Sequence, residues 1–320
     1  MQVHTDFKFH PQVTQIGVYW GAEGHTELYL LEGERLAIID TGVLDSPKGY
    51  IEPALAGMGR SLGDIEVIIN THGHHDHAGG NARVVAAGKA EVWVPEADVP
   101  IVEDIDLQFE TYFRQNDVLV NRPDRLAASR ARLDETAEPV KVDRALKPGE
   151  VLDLGKGITL HVVPVPGHTR GSSAYYWEKE GILFSGDAVL GTGSRIGGFP
   201  LIYSPTDYER TLDLVEGMDF ATLCLGHHYR TLALTRESVK YGATAKQFVR
   251  ESREIAHIIA DGVASAVREQ PDAPFLVMAH SALAKIRERL PLETDPETGL
   301  PVFGPTAALY GNWQLYGQGH

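Results

Sequence analysis

The chain reads as a mixed protein of the α/β (α+β) class with a helical extension at its C-terminal end. Three observations predict this. Short apolar, β-branched runs such as Ile65 to Asn70, Ala90 to Val94 and Ile158 to Val165 have the length of buried strands. Segments with helical spacing alternate with them. After Thr235 the strand-like runs give way to long stretches whose apolar residues recur at helical spacing.

In chain order, Val13 to Val18 and Glu27 to Leu31 are the first strands, and Gly33 turns the chain. Arg35 to Ile39 is a strand that runs into an acid, Asp40-Thr41-Gly42. Tyr50 to Ser61 is a helix, and Ile65 to Asn70 a buried strand. Asn81 to Ala87 starts another helix and Ala90 to Val94 another strand. Residues 96–142 break this rhythm as an insertion. Asp98 to Val120 alternates acids with Ile101, Val102, Ile105, Leu107, Phe109, Tyr112 and Phe113, the pattern of an amphipathic helix. Arg122 to Thr136 is polar, either a second helix or a loop. Val151 to Val165 makes two strands parted by Gly155-Lys156-Gly157. His161 alternates with apolar neighbours there and reads as an ordinary strand residue.

Ser172 to Trp177 leads to the strand that ends in Ser185-Gly186-Asp187. Gly191 to Pro200 is a glycine-rich loop beside that acid, able to admit a ligand closely. Tyr208 to Gly217 is a helix, and Leu223-Cys224-Leu225 a strand ending in Gly226-His227, with Cys224 in a packing position. The strands at Ala37 and Leu183 both run into an acid near a glycine, and those before His72 and His227 both end in histidine. This is a weak echo of a two-half core.

Arg236 to Glu269 is a long helix and Ala273 to Leu290 a second. Pro291 to His320 is rich in proline and glycine but carries Phe303, Tyr310, Trp313 and Tyr316. Such aromatics imply docking on the core or on a second copy, a homodimer contact. His257 and His280 read as surface or packed helix residues. The organisation expected is thus a catalytic domain over 1–235 and an extension over 236–320.

Composition bounds the function. The 320 residues can bury an ample core, and 43% hydrophobic with 23% charged residues is ordinary for a water-soluble protein. The net charge of −15, with 29 basic against 44 acidic residues and no basic run, argues against a nucleic-acid groove. A single cysteine excludes an intrachain disulfide. No apolar segment approaches a membrane span, and Met1 to His10 has no apolar signal core, so the expected location is cytoplasmic, with no membrane partner.

The chemistry concentrates in Thr71-His72-Gly73-His74-His75-Asp76-His77-Ala78-Gly79-Gly80, which holds four of the 14 histidines in six positions. Neutral imidazole and carboxylate are the donors that zinc, iron(II) and manganese take up. His72 and His74 project the same way from an extended chain. Asp76 and His77 turn back towards the same point as the following helix begins.

This His-x-His-x-Asp-His signature resembles the metallo-β-lactamase superfamily, over roughly residues 10–235. Pro166-Gly167-His168-Thr169, Ser185-Gly186-Asp187 and Leu225-Gly226-His227 stand where that family has a later His, a later Asp and a last His, and Asp40-Thr41-Gly42 matches a fifth segment. The resemblance implies a four-layer αββα sandwich with two metals at one edge. It implies His72, His74 and His168 on one metal, Asp76, His77 and His227 on the other, and Asp187 bridging. Asp40 would sit beneath them to orient a ligand histidine. His227 is favoured over its neighbour His228, and His75 faces away.

Two Zn2+ ions suit this set, with iron or manganese as other occupants of the same donors. Paired ions can share a hydroxide that attacks a carbonyl, with Asp76 and Asp187 as the catalytic acids of the site and no serine or cysteine nucleophile. The expected activity is hydrolysis of a small-molecule substrate: an ester, lactone or thioester. The presence of Asp187 sets the chain apart from secreted β-lactamases and towards glyoxalase II-like thioesterases and lactonases, although the lactonases carry a tyrosine where this chain has Leu190. A mononuclear-iron persulfide dioxygenase is the alternative, as is a dehalogenase or phosphoesterase on the same centre. Phe109, Tyr112, Phe113, Tyr203 and Tyr229 are the candidate pocket residues; for Phe109, Tyr112 and Phe113, packing within their own segment is the competing reading.

Overall fold

A computed structural model describes residues 5–21, 24–194, 198–301 and 305–317. Two sheets lie face to face with helices outside each, the expected αββα arrangement. The first sheet has the order β1-β2-β3-β4-β5-β6-β7. Its strands are β1 (Thr5–His10), β2 (Val13–Trp20), β3 (Gly24–Glu32), β4 (Leu36–Ile39), β5 (Val67–Ile69), β6 (Glu91–Pro95) and β7 (Arg144–Leu146). The second runs β13-β12-β11-β10-β9-β8. It is built from β8 (Val151–Gly155), β9 (Ile158–Pro164), β10 (Ser173–Trp177), β11 (Ile182–Gly186), β12 (Thr222–Leu225) and β13 (Val239–Tyr241).

Antiparallel hairpins open each sheet, and parallel pairing follows where helices cross over: β4 to β5 to β6 to β7 in the first sheet and β11 to β12 in the second. The parallel strands are short and buried along their length, as β4 (Leu36–Ile39) and β5 (Val67–Ile69) show. Between the sheets lies a core that includes Tyr29, Ile39, Ile69, Trp93, Tyr175, Trp177, Phe184 and Cys224. Two tyrosines span the layers to the backbone ends of facing strands. Tyr29 Oη donates to Leu225 O (2.6 Å) and Tyr175 Oη to Asn70 O (2.5 Å). Both acceptors lie at the edge that carries the histidines.

Outside the first sheet pack α1 (Glu52–Gly57) and α3 (Asn81–Ala87). Outside the second pack α8 (Pro205–Gly217), α9 (Gly242–Glu269), α10 (Phe275–Ile286) and α11 (Pro305–Gly317). The region after 235 opens with β13, which pairs antiparallel with β12, so it contributes a strand to the second sheet before it becomes helical. Phe275, Tyr310 and Trp313 stack into one cluster with ring centroids 5.2–5.7 Å apart, seating α11 on α10. Phe303 lies outside the described residues, as do Arg195 to Gly197 of the glycine-rich loop.

The insertion differs from the single amphipathic helix expected. It divides into α4 (Val99–Glu103), α5 (Ile105–Gln108), a wide π-type turn at Phe109–Arg114, and α6 (Gln115–Leu119). Asp104 makes the break. It is extended (φ −133°, ψ 103°), and its carboxylate caps the new start by accepting from the N–H of Asp106 and Leu107. The segment beyond, left open between helix and loop, contains α7 (Leu126–Thr136).

Candidate metal centre

The donors all emerge where strands end at one edge of the sandwich. His72 follows β5, and His74, Asp76 and His77 follow it around α2 (His75–Ala78). His168 follows β9, Asp187 is the residue after β11, and His227 lies just past β12. Both sheets therefore contribute to one cluster.

Two adjacent groups of donors form. His72, His74 and His168 bring one donor atom each within 4.8 Å of one another, as do Asp76, His77 and His227. His74 Nδ1 faces His168 Nε2 at 2.8 Å, and His77 Nε2 faces His227 Nε2 at 3.1 Å. The Asp187 carboxylate lies between the groups, its Oδ2 3.4 Å from His168 Nε2 and 3.2 Å from His227 Nε2, its Oδ1 3.6 Å from His77 Nε2. Asp76 Oδ2 is 3.5 Å from His227 Nε2.

The outward nitrogens explain why these rings point inward. His77 Nδ1 donates to Asp40 Oδ2 (2.8 Å), His168 Nδ1 to Leu201 O (2.8 Å), and His227 Nδ1 to His25 O. A ring whose Nδ1 carries the proton presents a bare Nε2 lone pair. Three such lone pairs converge, while His72 Nε2 and Asp187 Oδ1 are buried without a hydrogen-bond partner. Imidazole nitrogens packed against each other and an orphaned carboxylate oxygen are costly unless a cation sits among them. The donor set fits divalent metals of the zinc class.

Charge follows the same division. Burial holds His72, His74 and His168 below the ordinary imidazole range, the neutral ligating form. Burial opposes charge on His77 and His227 too, but Asp187 first, with Asp76 and, for His77, Asp40, raises both. Asp76 and Asp187 are held well below the carboxylate range because the neighbouring imidazoles outweigh their burial. The second group is thus the more strongly anionic cradle.

Asp40 sits beneath the cluster, as the resemblance implied. Its φ of 60° is a left-handed conformation that Asp tolerates better than most side chains. That turn lets one carboxylate accept from Thr71 N (2.8 Å), Thr71 Oγ1 (2.7 Å) and His77 Nδ1. Gly226 answers a different need: a Cβ there would lie 2.4 Å from Asp187 Oδ1 and 2.9 Å from the His77 ring.

Asp98 is a residue the sequence reading passed over. Its buried carboxylate accepts from Gly73 N (2.9 Å), Gly171 N (2.8 Å) and Thr169 Oγ1 (2.7 Å), tying the His72–His77 loop to the His168 loop. The one local signal was its place just past β6, where an acid echoes Asp40 past β4.

Among the pocket candidates, Tyr112 lies edge-on to His74 at 4.3 Å, and Tyr203 is 5.0 Å from Tyr112 and 6.1 Å from His168. Both line a cleft of about 370 Å3 that reaches His168 and is walled by Arg170, Gln115 and, from α11, Gln314. Tyr229 is 5.2 Å from the His227 ring, and its phenol interacts with Asp187. Phe109 and Phe113 are elsewhere, in a small core with Leu133 and Ala137, the packing alternative. His75 points away, against Trp20 and Phe113, and His161 is a half-exposed strand residue near Glu178.

A family model described as the metallo-beta-lactamase superfamily matches residues 23–227. The chain belongs to that superfamily. Hydroxyacylglutathione hydrolase of Erythrobacter litoralis is 27% identical over 239 residues, 73% of each chain. Acyl-coenzyme A thioesterase MBLAC2 of Gallus gallus is 33% identical over 215 residues, 62% of this chain and 73% of that one. Among solved structures, a metallo-beta-lactamase family protein of Thermus thermophilus superposes with a TM-score of 0.71 at 20% identity, over 96% of this chain and 94% of that one. The subclass B3 metallo-beta-lactamase BJP-1 of Bradyrhizobium japonicum gives 0.57 at 23% identity, over 80% and 94%. At such identities the structural likeness concerns the fold. This superfamily member is a metallo-hydrolase by family, and among its described residues no helix is long and apolar enough to cross a membrane.

Proposed function

We propose that this metallo-hydrolase cleaves small thioesters, at a dinuclear zinc-class centre held by His72, His74 and His168, by Asp76, His77 and His227, and by Asp187 between them. The observation that carries the reading is the convergence of the His77, His168 and His227 lone pairs, each fixed by a hydrogen bond behind it, around one carboxylate. Ions held there would supply an activated water and polarise a carbonyl. The chain's own residues do the rest. Asp187 aligns the two halves, Asp40 holds the His77 ring, and Tyr112 and Tyr203 shape a cleft large enough for a small acyl conjugate.

The choice of thioester leans on the names of two relatives, which describe acyl groups carried on glutathione and on coenzyme A. A lactone is the second reading. The position three residues after Asp187 is Leu190, which is buried, but Tyr229 brings a phenol to Asp187 from another element. The complete second donor group weighs against a one-iron oxygenase.

The test is a panel of thioesters, lactones, esters, β-lactams and RNA, offered to metal-stripped and zinc-reloaded protein. Thioesters should be turned over only after reloading, and RNA not at all. Asp187→Ala should lower kcat/KM by at least about 100-fold with an unchanged circular dichroism spectrum, because the side chain lies past a strand end. Undiminished turnover in that variant or in stripped protein overturns the proposal.

A further inference from the structure

Beside the cluster lies a second group of donors that the sequence reading did not connect. His25 and Glu27 are two apart on β3 and project the same way, and His228 meets them from beyond β12. His25 Nε2 and His228 Nε2 converge on the same carboxylate oxygen, Glu27 Oε1, at 3.2 and 2.8 Å. The two imidazoles are stacked with centroids 3.4 Å apart.

Glu27 is 2% exposed and His25 7%, and among the described residues no lysine or arginine ion-pairs with Glu27. His25 Nδ1 and Glu27 Oε2 are buried and lack any hydrogen-bond partner. Such groups are expensive to bury unless an ion satisfies them. Ser238 Oγ donates to Glu27 Oε1 (2.8 Å) and orients the carboxylate as outer partners of metal ligands do. Tyr19 covers the group, its ring 4.8 Å from His25. His228 is partly open to solvent, a route for entry and a place for water.

We propose that His25, Glu27 and His228 form a third metal site, which takes one zinc-class divalent cation through two imidazole nitrogens and a carboxylate and leaves a coordination position for water. Two-His-one-carboxylate is an established donor set for such ions. The cation joins β3 of the first sheet to the loop beyond β12 of the second. It also adjoins the first cluster at His227, which is the chain neighbour of His228 and whose Nδ1 donates to the His25 carbonyl.

The test uses crystals of the full-length protein grown with zinc and measured on both sides of the zinc absorption edge. An anomalous peak among His25 Nε2, Glu27 and His228 Nε2, separate from density at the seven-donor cluster, is expected. Metal analysis after dialysis should find about one equivalent fewer in Glu27→Gln than in wild type, and likewise in His228→Gln. A wild-type map without a peak at these three side chains overturns the proposal whether or not the variants fold, as does equal metal content in folded Glu27→Gln. The position of the peak separates this result from the fate of the larger centre.

Discussion

At the scale of single residues, the site depends on groups that hold the donors as much as on the donors. Asp40 accepts four hydrogen bonds from a left-handed backbone position, and the absence of a side chain at Gly226 leaves room for Asp187. His75, amid so many donors, has the opposite role. It is packed against Trp20 and Phe113, and burial lowers it to about 4. Unfolded, it binds a proton near 6.5; folded, it resists until near 4. Acidification across that window therefore favours the unfolded chain, and the stability present above 6.5 is lost as the pH falls towards 4. For metal-free protein the loss from this residue is roughly 3 kcal/mol. Denaturant melts at pH 7 and pH 5 should show a smaller drop for His75→Phe than for wild type; equal drops would assign the acid sensitivity to other groups.

The donors were legible because strand-end chemistry is local: an apolar run, then a histidine or an acid beside a glycine. Asp98, His25 and Glu27 were not. Their meaning lies largely in distant partners, such as Thr169, 71 positions from Asp98, and Ser238, 211 positions from Glu27. Periodicity cannot report such pairs.

At the scale of elements, the insertion shows how one side chain redirects a helix. The apolar spacing of residues 98–120 is helical, but the cap at Asp104 restarts the helix, and beyond it Tyr112 lies against His74 while Phe109 packs with Leu133. Asp98, at the root of the same insertion, ties two donor loops together. Asp98→Ala would leave two backbone N–H groups unpaired in a buried place and would take from the Thr169 hydroxyl one of its two partners, the other being Ser172 Oγ at 2.8 Å. A loss of roughly 2–4 kcal/mol in urea unfolding is expected, with weaker metal binding at the His72, His74 and His168 group. Asp98→Asn keeps one acceptor oxygen and should fall between; a silent alanine variant would show that the loops hold their places without it.

At the scale of the whole molecule, the layers were readable from the alternation of short buried strands and helices, once the resemblance supplied their arrangement. The use of the C-terminal region was less so. Aromatic content indicated docking, but not that β13 would complete a sheet or that α11 would wall the cleft beside His168. We propose the region after 235 as an extension inseparable from the catalytic part. Truncation there removes β13 and the helices packed outside the second sheet, and uncovers Leu223 and Leu225 of β12 together with Leu212 and Val215 of α8. Aggregation by light scattering is the expected outcome. A soluble, fully active truncated chain would refute it.

The donors are strung along the chain from 72 to 227, which sets an order of events on the ribosome. A nascent chain that has emerged through residue 168 possesses every member of the first group, but only Asp76 and His77 of the second. The second is completed some sixty residues later by His227, itself held by a carbonyl at residue 25 made long before. On the proposed assignment, metal captured early would meet a half-built site, and a chain cut short before residue 227 would carry one full set of candidate ligands with an open flank beside it.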